Sequence, residues 1–149
     1  MQYRTLGHTG LKVSALAFGG SSLGSAFRAI NENDGIRAVH VALDHGINLI
    51  DTAPYYGATT AETVLGKALR GVPRHKFYLA TKVARYGPEE KDFDFSEKRV
   101  TASVDDSLAR LGVDYVDFIQ VHDMEFGNLE QIIQETIAAL VKMKSAGKT

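Results

Sequence analysis

Short apolar runs alternate with longer amphipathic segments along most of the chain. The apolar runs have the length of β-strands and cover residues 16–18, 47–51, 77–82 and 115–122. The segments that follow them repeat apolar residues at helical spacing and cover residues 34–45, 59–69, 96–111 and 128 to about 147. Strands that alternate with helices predict an α/β fold with a parallel sheet and right-handed crossovers.

Residue types at the segment ends support these boundaries. Asn33 and Asn128 are predicted helix N-caps, and Gly46 is a predicted helix end. Thr59 is followed three residues later by Glu62, which predicts a capping box at the start of the second helix.

The predicted order of elements is a hairpin over residues 2–14 and then four strand–helix units. A doubly wound sheet and a (β/α)8 TIM barrel both fit this order. A complete barrel takes about 250 residues, so the 149 residues are enough for its first half. The chain ends where a fifth strand would begin, and we therefore expect residues 1–149 to form one truncated half-barrel domain. Because a half barrel exposes two strand edges and part of its apolar interior, we also expect it to self-associate.

Composition changes this picture mainly by exclusion. The chain is 44% hydrophobic and 23% charged, which is enough apolar sequence for one domain with a core. It has no cysteine, which excludes disulfides, cysteine-based zinc sites and a thiol nucleophile. A net charge of -1 gives no general attraction to nucleic acid or anionic membranes, and no apolar run has the length of a membrane helix. We expect a cytoplasmic protein with no metal site and no nucleic-acid or membrane partner.

Three polar residues stand at the ends of three consecutive predicted strands: Asp51, Lys82 and His122. In parallel α/β folds the carboxyl ends of the strands meet at one mouth, where sites are built. Tyr56 lies in the loop after Asp51 and could reach the same mouth. Taken singly, the Asp can cap a turn, the Lys can point to solvent, the His can be structural and the Tyr can pack a loop. Their coincidence at one end of one sheet favours a shared site.

The four side chains have a coherent joint chemistry. A phenol has a pKa of about 10, and a neighbouring ammonium stabilises its phenolate and lowers that pKa. A carboxylate keeps the ammonium charged and oriented, and a histidine can hydrogen-bond a substrate oxygen. Such a set suits proton exchange with a carbonyl or alcohol oxygen while hydride moves at the carbon. Because no side chain can supply hydride, this chemistry requires a nicotinamide.

These residues lie in motifs that resemble the N-terminal half of the aldo-keto reductase family. The most specific motif is Asn48-Leu-Ile-Asp-Thr-Ala-Pro-Tyr-Tyr-Gly57, together with the downstream Lys82 and His122. Further matching segments, in family order, are residues 10–14, 18–20, 62–69, 80–82 and 108–118. The resemblance covers nearly the whole chain.

The resemblance implies a (β/α)8 TIM barrel with the hairpin at its bottom and a catalytic tetrad of Asp51, Tyr56, Lys82 and His122. In that scheme Tyr56 is the acid/base, Lys82 tunes it, Asp51 orients Lys82, and His122 positions the substrate carbonyl. Tyr56 is assigned this role rather than Tyr55 because it directly precedes the glycine of the motif.

The resemblance also implies that Gly19, Gly20 and Asp51 approach a nicotinamide cofactor, NAD or NADP. The family binds most of that nucleotide with the second half of the barrel. The chain contains no Gly-x-Gly-x-x-Gly motif either. We therefore expect the 149-residue chain alone to be inactive or nearly so.

One branch of the family resembles this chain in further detail. Residues 93–99 and 122–127 are similar to L-galactose dehydrogenase-like members, which oxidise a free aldose at C1 to the lactone with NAD. Asp123 agrees with that branch, since many other members carry an aromatic or basic residue after the histidine. The resemblance thus implies an NAD(P)-dependent oxidoreductase, NAD being favoured, that interconverts an alcohol or sugar hemiacetal and a carbonyl or lactone. Its substrate would be a small aldehyde or aldose.

Two alternatives to this enzyme stay open. The chain could be an inactive truncated remnant, which its length favours. It could also be a non-catalytic, cofactor-sensing subunit of the same fold, although residues 1–14 offer no docking surface for a membrane partner.

Overall fold

The computed structural model describes all of residues 1–149. It begins with an antiparallel hairpin of β1 (Tyr3–Thr5) and β2 (Lys12–Ser14). A parallel sheet follows, formed by β3 (Phe18–Gly19), β4 (Leu49–Asp51), β5 (Tyr78–Val83) and β6 (Phe118–Val121). The α-helices are α1 (Glu32–Asp44), α2 (Thr60–Leu69), α3 (Glu97–Leu111), α4 (Leu129–Gln131) and α5 (Ala138–Ser145).

The strands of the parallel sheet stand in the order β3-β4-β5-β6, so each is hydrogen-bonded to the next one along the chain. A doubly wound sheet needs a reversal of strand order, and this sheet has none. Sequential parallel neighbours are the arrangement of a (β/α)8 barrel, of which these units form one side. The barrel interpretation is therefore confirmed.

The side chains of the sheet alternate between a helix-facing side and an inner side. Ile50 and Leu79 are buried in the main core between the sheet and the helices. Asp51 of β4 is paired in register with Ala80 of β5. Lys82 lies two residues beyond Ala80 in β5. Because strand residues alternate, Asp51 and Lys82 share the inner side. A concavity of about 600 Å³ lies there, with Asp51 among its lining residues.

The hairpin covers the end of the sheet opposite to these polar strand ends. The Asn48 side chain, just before β4, donates to the Lys12 carbonyl at 3.0 Å and accepts from the Ser14 N–H at 2.7 Å. The Tyr3 hydroxyl donates to the Gly46 carbonyl at 3.0 Å. The predicted hairpin is thus confirmed, and the carboxyl ends of the strands remain open.

Some predicted boundaries are wrong by a few residues. Helix α1 begins at Glu32, and its N-cap is Asn31, whose side chain accepts two backbone N–H bonds; Asn33 lies inside the helix. β3, β4 and β6 are shorter than the predicted runs, whereas β5 keeps its length but is shifted by one residue, so Lys82 is its second-last residue. The residues of the other runs that lie outside the strands do not join the strand pairing. His122 consequently lies just beyond β6, although its N–H still donates to the Val83 carbonyl at 3.0 Å.

The predicted capping box at Thr59 is also wrong. Thr59 has a left-handed backbone (φ 73°), and its side chain makes no capping hydrogen bond. Glu62 is fully buried and bonds instead to Thr81, Ser107 and Arg110. The carboxylate therefore connects α2 to β5 and α3 rather than capping its own helix.

The last helical region leaves apolar surface uncovered. Helix α4 continues through a π-helical stretch, Ile132–Ile137, into α5. Ile132 and Leu140 are buried, but Ile133 and Val141 are 59% and 58% exposed. Self-association through such surface and the unpaired edges of β3 and β6 stays a prediction. None of the helices combines the length and apolar character that a membrane crossing requires.

Candidate active site

The structure brings Asp51, Tyr56, Lys82 and His122 together where β4, β5 and β6 end. The Lys82 Nζ donates to Asp51 Oδ1 at 2.6 Å and to the Thr52 carbonyl at 2.9 Å. It also lies 5.0 Å from the centroid of the Tyr56 ring. The Tyr56 ring meets the His122 ring edge-on, with 5.9 Å between the centroids. The four predicted residues therefore surround one mouth.

The Lys82 ammonium is the electrostatic centre of this group. Its side chain is only 12% exposed, so water contributes little to solvating its charge. The Asp51 carboxylate and the Thr52 carbonyl take over that solvation and direct the ammonium toward Tyr56. The ammonium is thus a fixed cation over the face of the Tyr56 ring.

The loop that carries Tyr56 is held by a close approach of two backbone segments. Gly24 ends a 3-10 helical segment, Gly20–Gly24, that follows β3. A Cβ on Gly24 would lie 2.4 Å from the Tyr56 carbonyl oxygen, and a Cβ on Gly57 would lie 2.1 Å from the Gly24 carbonyl oxygen. Gly57 also has a φ of +62°, which glycine adopts freely. The two glycines thus fix the backbone at Tyr56 against the segment after β3.

Strained backbone conformations occur next to three of the four site residues, Tyr56, Lys82 and His122. Five non-glycine residues have a positive φ, and four of them follow a tetrad residue within three positions: Ala58, Thr59, Ala84 and Asp123. Such conformations cost energy and are typical of functional sites, where the surrounding structure holds them in place.

His122 is held in its neutral form. Burial is the main cause that lowers its pKa below the ordinary value of 6.5; Asp123 opposes this shift, and Lys82 and Arg85 add to it. Its side chain is 12% exposed, and its Nδ1 is buried without a hydrogen-bond partner. A neutral imidazole has one donor and one acceptor nitrogen. It can therefore donate to a substrate oxygen without bringing a charge.

This lowered pKa predicts a pH-dependent stability. Well above a pH of about 6.5, His122 is neutral in both the folded and unfolded chain. As the pH falls below that value, the unfolded chain takes up the proton first, so the free energy of unfolding decreases until the lowered pKa is passed. Between about pH 7 and pH 5, we expect the melting temperature of His122→Asn to fall less than that of the wild-type protein. The exposed His75→Asn should retain the wild-type fall, and equal slopes in the two variants would contradict this origin.

Sequence reasoning missed Arg85 and Tyr55 as neighbours of the tetrad. The Arg85 guanidinium lies 3.8 Å from the centroid of the Tyr55 ring and forms an ion pair with Asp123. The Tyr55 ring meets the His122 ring at 5.8 Å. Arg85 lies in a charged loop. The sequence of that loop does not indicate its partners, because Tyr55 and Asp123 come from two other loops.

The two glycines predicted to approach a cofactor have different surroundings. A Cβ on Gly20 would lie 2.9 Å from the Asp51 carbonyl oxygen, so packing against β4 already explains this glycine. A Cβ on Gly19 would have no atom within 4 Å, which leaves open space at the end of β3. Their part in cofactor binding stays a prediction.

Together, the fold and the site define an α/β-barrel protein with a cluster of titratable side chains at the carboxyl ends of its strands. Residues 15–149 match the model of the Aldo/keto reductase family. The chain belongs to this family, which confirms the resemblance of its motifs. The family is one of oxidoreductases.

Two relatives and one solved structure show how far the similarity extends. The chain is 52% identical to the L-galactose dehydrogenase of Arabidopsis thaliana over 151 residues, which covers 100% of the chain and 46% of the relative. It is 31% identical to the D-threo-aldose 1-dehydrogenase of Pseudomonas sp over 159 residues, or 93% of the chain and 48% of the relative. An aldo-keto reductase from Klebsiella pneumoniae in complex with NADPH matches 99% of the chain and 48% of its own length, with a TM-score of 0.80 and 29% identity. The chain thus spans about half the length of these proteins.

Proposed function

We propose that this chain provides the proton-transfer half of a nicotinamide-dependent aldose dehydrogenase, which oxidises a sugar hemiacetal at C1 to the lactone. The observation that carries the proposal is the position of the Lys82 ammonium, bonded to Asp51 and 5.0 Å from the Tyr56 ring centroid, with His122 beside that ring. The similarity to two sugar dehydrogenases supports an aldose as substrate. The 52% identity to the first of them supports L-galactose.

The four side chains divide the work of moving one proton. Oxidation removes the C1–H as hydride and the O1–H as a proton, and the C1–O1 bond becomes the carbonyl of the lactone. Tyr56, as phenolate, accepts the proton from O1, and Lys82 stabilises that phenolate beforehand. Asp51 pairs with Lys82 and directs it, and neutral His122 donates a hydrogen bond to O1.

A nicotinamide, when bound, supplies the hydride acceptor that no side chain provides. The chemistry of the site fits this partner, because the tetrad can exchange a proton but cannot take a hydride. Gly19 and Asp51 are the residues that would hold the nicotinamide ring of the cofactor. They pair in register between β3 and β4, and Gly19 has open space beside it. The resemblance to the aldose-oxidising branch favours NAD over NADP.

The test is an oxidation assay on the complete gene product with L-galactose and either NAD or NADP. We expect reduced nicotinamide and the galactonolactone in equal amounts, with NAD the better acceptor. Deuterium at C1 should slow the reaction and appear in the reduced cofactor. Methyl α-L-galactoside, whose O1 carries no proton, should be inert. Failure of every free aldose to reduce either cofactor would contradict the proposal.

A further inference from the structure

Asp123 and Arg85 form a charged pair beside the tetrad that proton transfer does not use. Asp123 directly follows His122, and Arg85 lies in the loop after β5. Arg85 Nη1 donates to Asp123 Oδ2. The two side chains are 21% and 26% exposed, so this pair belongs to the wall of the mouth rather than to open surface.

One oxygen of the Asp123 carboxylate is engaged and the other is free. Oδ2 accepts from Arg85, whereas Oδ1 accepts no hydrogen bond from the chain. Oδ1 lies 3.8 Å from His122 Nε2, which is too long for a direct hydrogen bond. Unlike His122 Nδ1, Oδ1 is not sealed off from solvent, so a ligand in the mouth can reach it and donate a hydrogen bond to it.

The free oxygen is held in a fixed place. Arg85 stacks on the Tyr55 ring, and its Nε donates to the Gly87 carbonyl at 3.3 Å. Tyr55 in turn lies against His122. The Asp123 backbone has a φ of +49°, a left-handed conformation that aspartate tolerates better than most residues. The carboxylate is therefore oriented by both its own backbone and the stacked guanidinium.

We propose that Asp123 Oδ1 accepts a hydrogen bond from the hydroxyl on C2 of the aldose, and so selects sugars over simple alcohols and carbonyl compounds. This inference rests on the proposed function, in which His122 holds O1. An acceptor 3.8 Å from His122 Nε2 is placed for an oxygen on the carbon next to C1. A carboxylate only accepts, so a substrate without that hydroxyl leaves its charge without a donor.

Three sugars and two variants of the complete protein test this assignment. L-Galactose has the C2 hydroxyl, 2-deoxy-L-galactose lacks it, and L-fucose lacks only the C6 hydroxyl. For the wild-type protein we expect kcat/KM to fall by about 10- to 100-fold without the C2 hydroxyl, the range for a hydrogen bond to a charged group, and little without the C6 hydroxyl. Asp123→Asn should lower kcat/KM on L-galactose and L-fucose by most of that factor. On the 2-deoxy sugar, which lacks the hydroxyl, the variant should lower kcat/KM only slightly. The matched control is Glu125→Gln, the same charge change at an exposed position two residues further on.

A binding measurement separates this inference from the proposed function. Each sugar is titrated without cofactor while the ring nitrogens of His122 are followed by NMR. If no aldose is oxidised, the proposed function fails, but tighter binding of L-galactose than of its 2-deoxy form, lost in Asp123→Asn, still supports the assignment. Equal treatment of the two sugars by the wild-type protein overturns it, as does equal loss on both sugars in the variant. The wild-type comparison can overturn the assignment even if the variant fails to fold.

Discussion

Tyr56→Phe is expected to lower kcat for aldose oxidation by about 10²- to 10⁴-fold, the range for losing a positioned acid–base group. Phenylalanine keeps the ring that contacts His122 and Lys82 but removes the oxygen that takes the proton. KM should change little, because the ring still lines the mouth. The measurement is single-turnover formation of reduced nicotinamide by wild-type and variant protein at the same pH.

The matched control is Tyr55→Phe, which removes the same atom from the neighbouring ring. Both rings lie against His122, but a different cationic side chain lies over each ring. Lys82 is near Tyr56, whereas Arg85 stacks on Tyr55. We therefore expect Tyr55→Phe to retain most of the activity. If Tyr55→Phe removed activity while Tyr56→Phe kept it, the acid–base assignment would be wrong.

The place of the site could be predicted because parallel strands bring their carboxyl ends to one edge. Asp51 and Lys82 stand out as polar residues at the ends of apolar runs, and strand alternation puts both on the inner side. The position of Tyr56 relative to them depends on more. Its loop is fixed by the contact between Gly24 and Gly57, and residues so far apart in sequence give no local signal that their backbones touch.

The role of Glu62 shows the limit of local patterns more sharply. The spacing from Thr59 to Glu62 is the same for a capping box and for a buried acid. What decides between them is Arg110, which comes from α3 and lies 2.7 Å from the carboxylate. The sequence around Glu62 does not reveal that partner. The prediction of a cap is therefore wrong because a tertiary contact, not a local one, determines where the carboxylate lies.

Glu62→Ala is expected to lower the free energy of unfolding by about 3–5 kcal/mol, the range for breaking a buried ion pair. The carboxylate is fully buried and accepts from Thr81 at 2.6 Å, Ser107 at 3.3 Å and Arg110 at 2.7 Å. Its removal leaves two buried hydroxyls without an acceptor and a guanidinium without a counter-charge. Because the Arg110 side chain is 23% exposed and can turn toward water, the loss should lie near the lower end. Urea unfolding gives the free energy directly.

Two further variants show whether burial and charge pairing are the cause. Glu32→Ala breaks an ion pair with Lys67 whose side chains are about half exposed, and it should cost only about 0–1 kcal/mol. Replacing both Glu62 and Arg110 by leucine removes the buried charge together with its partner, so it should recover part of the loss. Equal losses for Glu62→Ala and Glu32→Ala would contradict this account. Thr81 directly precedes Lys82, and α2 follows the Tyr56 loop. The carboxylate that stabilises the fold therefore also connects the two segments that carry Tyr56 and Lys82.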